Sequence, residues 1–225
     1  MADGTLWIGT RTFSSWSLRG WLAVRLAGLD VEEVVIPLDQ PDTAERIRLV
    51  SPSGLVPCLA WKGAVVWDSL AIAEFCAELA PGLWPTELGA RAHARAISAE
   101  MHAGFRGLRS AMWMNLDAGF CARAAGRQRT PEALADIARI EAIWRDTRAR
   151  FGDGGPFLFG PGFTLADAMY APVTTRFTTW RPELAPESWA YVEAVQAHPL
   201  VRRWLDDAAA EPETWKSPKY MTVPA

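Results

Sequence analysis

The chain has 225 residues, of which 50% are hydrophobic and 22% charged; this is a folded globular composition that excludes disorder and collagen-like repeats, and the length suits one large domain or two compact ones. A formal net charge of -3 gives no general electrostatic footprint for nucleic acid or an anionic membrane surface. No apolar run reaches the ~20 residues of a membrane helix, and Met1 to Gly9 lacks the basic and apolar regions of a signal peptide, so the expected address is cytoplasmic.

Thr5 to Thr10 reads as a short apolar strand, and Ser15 to Gly28 as a helix with Leu18, Trp21, Leu22, Arg25 and Leu26 at helical spacing and Gly28 as its stop. Val31 to Leu38 is a second strand, and Thr43 to Val50 accommodates a short helix before Ser51-Pro52 breaks it. Val56 to Trp61 and Ala64 to Trp67 are strands joined across Lys62-Gly63, a tight hairpin signal, after which Asp68 opens a helix carrying Leu70, Ile72, Phe75 and Leu79. The order predicted for the first 80 residues is therefore βαβαββα.

Ala80-Pro81-Gly82 stops that helix, and the proline-rich stretch that follows predicts a linker over 81–88. Residues 1–80 then form one domain and residues 89–225 an all-helical second one. Within the second, Leu88 to Leu116 reads as one long helix with Met101, Phe105, Leu108 and Met112 on a stripe, and with Gly104 and Gly107 permitting close packing. Arg123, Arg127 and Arg129 fall in a Gly/Ala-rich loop. Thr130 caps a second long helix over Pro131 to Phe151, with Leu134, Ile137, Ile140, Trp144 and Phe151 facing inward. Thr164-Leu-Ala-Asp167 resembles a capping box and opens a helix to Trp180 that contains Pro172. Short helices over Glu187 to Ala197 and Pro199 to Ala210 end the chain.

Cys58, Cys76 and Cys121 are odd in number and show no CxxC spacing, and His93, His102 and His198 lack metal-ligand spacing, so neither a disulfide framework nor a metal site is expected. The chemically informative segment is Ser14-Ser15-Trp16-Ser17, at the carboxyl end of the first strand and the start of the first helix. With hydroxyls where a redox CxxC would stand, thiol-disulfide exchange by this loop is excluded. Such hydroxyls, beside the exposed N–H groups and positive dipole end of a helix, suit a bound anion such as a thiolate. Trp16 and Trp113 are candidate walls of an apolar pocket. Arg19, Arg109 and Arg176 are candidates for gripping a carboxylate.

Ser14-Ser15-Trp16-Ser17-Leu18-Arg19, Ser53-Gly54-Leu55-Val56-Pro57, Asp68-Ser69-Leu70-Ala71-Ile72-Ala73-Glu74 and Thr164-Leu165-Ala166-Asp167, in that order, resemble the cytosolic glutathione transferases of the serine type, and the match spans nearly the whole chain. The resemblance implies an α/β thioredoxin-like domain followed by an all-α domain, usually in a homodimer, with glutathione as co-substrate and no metal. It implies a cis peptide at Pro57, main-chain pairing of Val56 with the cysteinyl part of glutathione, and a γ-glutamyl end held by Asp68 and Ser69. Ser14 matches the activating serine, with Ser15 adjacent, and the second substrate would be a small hydrophobic electrophile between the domains. Where many members carry lysine or glutamine, this chain has Leu55, which removes a polar contact to the glycyl carboxylate that Gln40 or a main-chain group would replace; Asp68 stands where glutamate is commoner.

Two alternatives accompany this reading. The Ser14-Ser15-x-Ser17 pattern also looks like the zeta class, whose maleylacetoacetate isomerases add glutathione reversibly to an activated double bond; Arg109 and Arg176 would then hold carboxylates, although the family arginine after the capping box sits at a different spacing. A non-catalytic binding module with the same fold is the other.

Overall fold

The computed structural model describes residues 2–127 and 130–223. Its first half runs β1 (Gly4–Gly9), α1 (Ser15–Leu26), β2 (Val31–Ile36), α2 (Thr43–Arg48), β3 (Cys58–Trp61), β4 (Ala64–Val66) and α3 (Ser69–Leu79). This is the βαβαββα order read from the sequence, in thioredoxin-like form. The sheet order is β2-β1-β3-β4, with β1 parallel to β2 and antiparallel to β3, and Leu6 of β1 opposite Leu59 of β3. Leu6, Ile8 and Leu59 are fully buried, as are Leu18, Trp21, Leu22 and Val24 of α1. Apolar burial of this kind contributes roughly 25 cal/mol per Å². At Gly20 the packing leaves no room for a side chain, since a Cβ there would lie 2.7 Å from Pro57 Cγ. Its absence lets α1 sit directly against the turn that precedes β3.

The second half is helical: α4 (Leu88–Ala103), α5 (Arg106–Ala111), α6 (Ala118–Ala124), α7 (Pro131–Phe151), α8 (Leu165–Trp180), α9 (Pro186–Ala197) and α10 (Pro199–Ala209), then a 3-10 turn (Glu213–Trp215) and the short α11 (Pro218–Met221). The core helix is α8, buried along almost its whole length. Asp167 fixes its start by accepting hydrogen bonds from Thr164 N–H (2.8 Å) and Thr164 O–H (2.9 Å), and it also accepts from Leu158 N–H and Tyr191 O–H. Burial pushes the Asp167 carboxyl upward, and that network satisfies its oxygens and opposes the push in part.

The structure corrects the single helix expected over Leu88 to Leu116. The chain breaks at Gly104, and Phe105 takes a left-handed conformation (φ 60°) before α5 begins. The break is held by distant groups: Asp136 of α7 accepts from Leu108 N–H at 2.9 Å, and Arg109 donates to Gly104 O (3.0 Å) and to Met101 O, closing the end of α4. Met101, Phe105, Leu108 and Met112 nevertheless all stay buried. Leu134, expected inward, is 47% exposed, while Ile137, Ile140 and Trp144 carry the inner face of α7. Of the Gly/Ala-rich stretch, Arg123 lies in α6 and Arg127 just after it; Arg129 lies outside the described residues.

Candidate active site

Three parts of the chain meet at the carboxyl edge of β1. The first is the start of α1, where Ser14 is the N-cap: its Oγ accepts from Ser17 N–H (3.3 Å) and its hydroxyl donates to Ser17 Oγ (2.7 Å). Ser17 Oγ in turn accepts from Gly9 N–H at 2.9 Å, which ties the end of β1 to α1. Ser15 Oγ accepts from Arg176 Nη2 of α8 at 3.1 Å. Both serines are nearly covered, at 6% exposure each.

The second part is the turn before β3, where the Val56–Pro57 peptide is cis, as the resemblance implied. The third is the start of α3. Asp68 is its N-cap, with Oδ1 accepting from Leu70 N–H (3.0 Å) and Ala71 N–H (3.2 Å), and Ser69 is buried. Trp16, Ser53, Leu55, Val56, Pro57, Asp68, Ser69 and His102 together line a cavity of about 270 Å³. The sequence candidates Leu55, Val56, Pro57, Asp68, Ser69 and Trp16 thus share one wall system, with Ser14 and Ser15 immediately before Trp16.

The remaining candidates lie elsewhere or act from behind. Gln40 stands in the β2–α2 connection, its side-chain amide donating to Leu38 O at 3.4 Å, outside the lining. Trp113 packs on Trp180 and Phe120 and donates to Tyr220 O at 3.1 Å, in the helical half. Leu55 is 68% exposed, so its side chain offers an apolar rim where a polar one would offer a hydrogen bond.

His102 was not a sequence candidate. Its Nε2 is 3.0 Å from Asp68 Oδ2, and its ring meets Trp16 edge-on at 5.2 Å. The position follows the buried Met101 by one residue on α4, and only that placement marks it, because its partner is remote in sequence.

Behind Trp16 stands a cationic group. The Arg19 and Arg109 guanidinium carbons lie 4.8 and 4.5 Å from the Trp16 ring centroid, a favourable cation–π arrangement. Arg19 is 1% exposed and donates through Nε to Met169 O (2.7 Å), and neither of its Nη atoms has a partner among the described residues. Burial, then Arg109 and Arg176, hold its pKa well below the usual arginine value. Burial and then Arg109 push Arg176 down to about 9, and burial lowers Arg109 against the opposing pull of Asp136. Three mutually repelling guanidinium groups beside a cleft create a local demand for negative charge.

Comparison with known proteins agrees with this geometry. The glutathione S-transferase N-terminal domain model matches residues 13–79 and the C-terminal domain model matches residues 122–207, together more than half of the chain. The chain belongs to the glutathione S-transferase family. A probable maleylacetoacetate isomerase of Caenorhabditis elegans is 28% identical over 182 residues, covering 78% of this chain and 79% of that one. Among solved structures, a zeta-class bacterial maleyl pyruvate isomerase is similar with TM-score 0.71 and 22% identity, covering 93% of this chain and 99% of that one. A glutathione transferase homologue from Burkholderia gl BGR1, solved with bound glutathione, is similar with TM-score 0.70 and 21% identity, over 93% and 100% of the two chains. In this chain the cavity brings Trp16 of α1, the cis Val56–Pro57 turn and the Asp68-Ser69 cap together, while Ser14 and Ser15 precede Trp16 without lining it.

Proposed function

We propose that this protein is a glutathione transferase that binds glutathione in the cavity edged by Val56, Pro57, Asp68 and Ser69, and stabilises its thiolate at the start of α1. The thiolate then attacks a small hydrophobic electrophile held beside Trp16, between a thioredoxin-like domain (1–80) and a helical one (89–225) joined by a linker (81–88). The observation that carries this reading is the convergence of the α1 N-terminus, the Val56–Pro57 turn and the Asp68 cap on one cavity of about 270 Å³. A free thiol has a pKa near ~8.5 and is mostly protonated at neutral pH, whereas the thiolate is the nucleophile. Lowering that value by two units takes about 2.7 kcal/mol. A hydrogen bond to the charged sulfur (about 1.5 to 3 kcal/mol) and a helix N-terminus (about 0.3 to 1) suffice, so no general base is needed.

In this reading Val56 pairs through its main chain with the cysteinyl part, Asp68 and Ser69 take the γ-glutamyl end, and Gln40 or a main-chain group serves the glycyl carboxylate in place of Leu55. Arg109 and Arg176 complete the electrophile side. The protein works as a homodimer in the cytoplasm, without a metal. The test is a glutathione titration at pH near 6.5, followed as an ultraviolet difference spectrum. A thiolate band that disappears in the Ser14→Ala/Ser15→Ala double variant is the expected result. No band with the wild-type protein would overturn the reading and leave a binding module.

A second reading has its own support. The arginine group around Trp16 and Ser15, with Arg19 and Arg176 buried and Arg109 half-buried, fits an electrophile that itself carries carboxylates, so the alternative reaction is glutathione-dependent cis-trans isomerisation of a maleylacetoacetate or maleylpyruvate type. Its check is turnover of either compound, with Arg109→Ala and Arg176→Ala raising KM about tenfold or more, the loss expected for a charge-assisted contact. Absence of turnover with both compounds removes it while leaving conjugation intact.

A further inference from the structure

The adjacent hydroxyls of Ser14 and Ser15 are not equivalent, and their hydrogen bonds divide the work between them. Ser14 is turned toward its own helix: its oxygen takes Ser17 N–H and its hydrogen goes to Ser17 Oγ, which Gly9 N–H anchors from β1. Every link of that chain is buried, so turning the Ser14 hydroxyl hydrogen toward a ligand would forfeit its 2.7 Å bond to Ser17 Oγ. Ser15 has the opposite arrangement. Its oxygen accepts from Arg176 Nη2 at 3.1 Å, and its own hydrogen reaches no acceptor among the described residues. Arg176 is held in place by a second bond from Nη1 to Pro172 O (3.1 Å), is 4% exposed, and has its Nε unpartnered among the described residues.

We propose that Ser15 is the hydroxyl that donates to the glutathione sulfur, and that Arg176 is the positioning residue that aims and polarises it, while Ser14 serves as the structural cap. This rests on the glutathione reading above. A hydroxyl whose oxygen already accepts from a cation is a stronger donor, since polarisation runs cooperatively along the pair. The guanidinium also fixes the rotamer and leaves the hydrogen free for an anion, one residue before the cavity-lining Trp16. The chemistry is a proton equilibrium only: the thiol proton leaves to solvent, Ser15 keeps its own proton and shares it with the sulfur anion, and Arg176 stays charged. Because Arg176 belongs to α8 and Ser15 to α1, the helical half of the molecule sets the acidity of a thiol bound on the other half.

The decisive measurement is the apparent pKa of glutathione bound to the full-length protein, read from the thiolate absorbance against pH. Ser15→Ala raises it by about one unit, a loss of about tenfold in thiolate below that pKa. Ser14→Asn, which keeps a capping oxygen but has no hydroxyl, raises it by less than about a third as much. Arg176→Gln raises it toward the Ser15→Ala value, Arg176→Lys restores part of the shift, and Arg176→Gln adds little in a Ser15→Ala background. A larger shift from Ser14→Asn than from Ser15→Ala overturns the assignment of the donor. An Arg176→Gln shift that persists in full without the Ser15 hydroxyl overturns the positioning role, because the arginine would then act on the sulfur directly. These failures leave a wild-type thiolate band in place, whereas failure of the glutathione reading itself removes that band. Should Arg176→Gln not fold, the comparison of Ser15→Ala with Ser14→Asn and the Arg176→Lys titration still decide the matter.

Discussion

Asp68 carries two duties on one side chain, and a substitution can separate them. Its Oδ1 caps α3 and its Oδ2 faces His102 at the cavity wall. Asp68→Ser keeps a good N-cap, so stability changes by only a few tenths of a kcal/mol, whereas Asp68→Ala costs about 1 kcal/mol as a lost cap. Both remove the carboxylate, and both are expected to weaken glutathione binding about tenfold or more, the value of a hydrogen bond to a charged group. Calorimetric titration alongside urea unfolding separates the effects. If Asp68→Ser binds glutathione like the wild type, the carboxylate has no part in holding the ligand. Legibility at this scale depends on range. Val56-Pro57 and Asp68-Ser69 stand next to each other in the chain and read as motifs, while the Arg176–Ser15 and His102–Asp68 contacts join remote residues of ordinary type and leave no local trace.

At the scale of elements, helices with their own caps were legible and helices ended by tertiary contacts were not. The helix α7 begins at Pro131 with Thr130 as cap and ends at Phe151, and α8 begins with its Thr164–Asp167 box; both boundaries are written in adjacent residues. The break between α4 and α5 is different. The apolar stripe from Met101 to Met112 keeps its period across it, since both segments cover the same core, and the groups that stabilise the break come from Asp136 and from the Arg109 side chain folding back. Gly107 marks the closeness of the resulting packing: a Cβ there would stand 2.6 Å from the carbonyl carbon of Glu132, in the first turn of α7. Backbone cannot yield as a flexible side chain does. Gly107→Ala is therefore expected to destabilise the protein by about 1 to 3 kcal/mol through overpacking, despite alanine's better helix propensity, and to lower the urea midpoint. A rise in that midpoint would show that α5 shifts away from α7 without penalty.

For the molecule as a whole, the two halves are joined beneath the sheet as well as at the cleft, and Glu33 is the centre of that second join. It lies on β2 with its side chain 13% exposed, and pairs with Arg11 (2.6 Å), with Arg25 of α1, and with Arg203 of α10 (3.4 Å). Beside it, Trp21 of α1 meets Trp204 of α10 edge-on at 5.4 Å, so an ion-pair group lies next to an aromatic one. Burial on its own pushes the Glu33 carboxyl upward, but Trp21, Arg25 and Arg11 more than offset this and hold it below the usual carboxylate range. The sign follows from linkage: a carboxyl whose pKa is lower in the folded state contributes stability that is complete above its unfolded value of ~4.3 and is lost as pH falls through the folded value. Glu33→Gln keeps the shape and leaves the arginines without their counter-charge, and is expected to cost about 2 kcal/mol at neutral pH. Unfolding curves of wild type and variant, recorded from neutral pH downward, should converge once the pH drops well below ~4.3, because the wild-type carboxyl is then protonated too. A gap that stays constant down to the acid limit would mean that ionisation of Glu33 is not what the substitution removes, and that charge at this position does not hold the halves together.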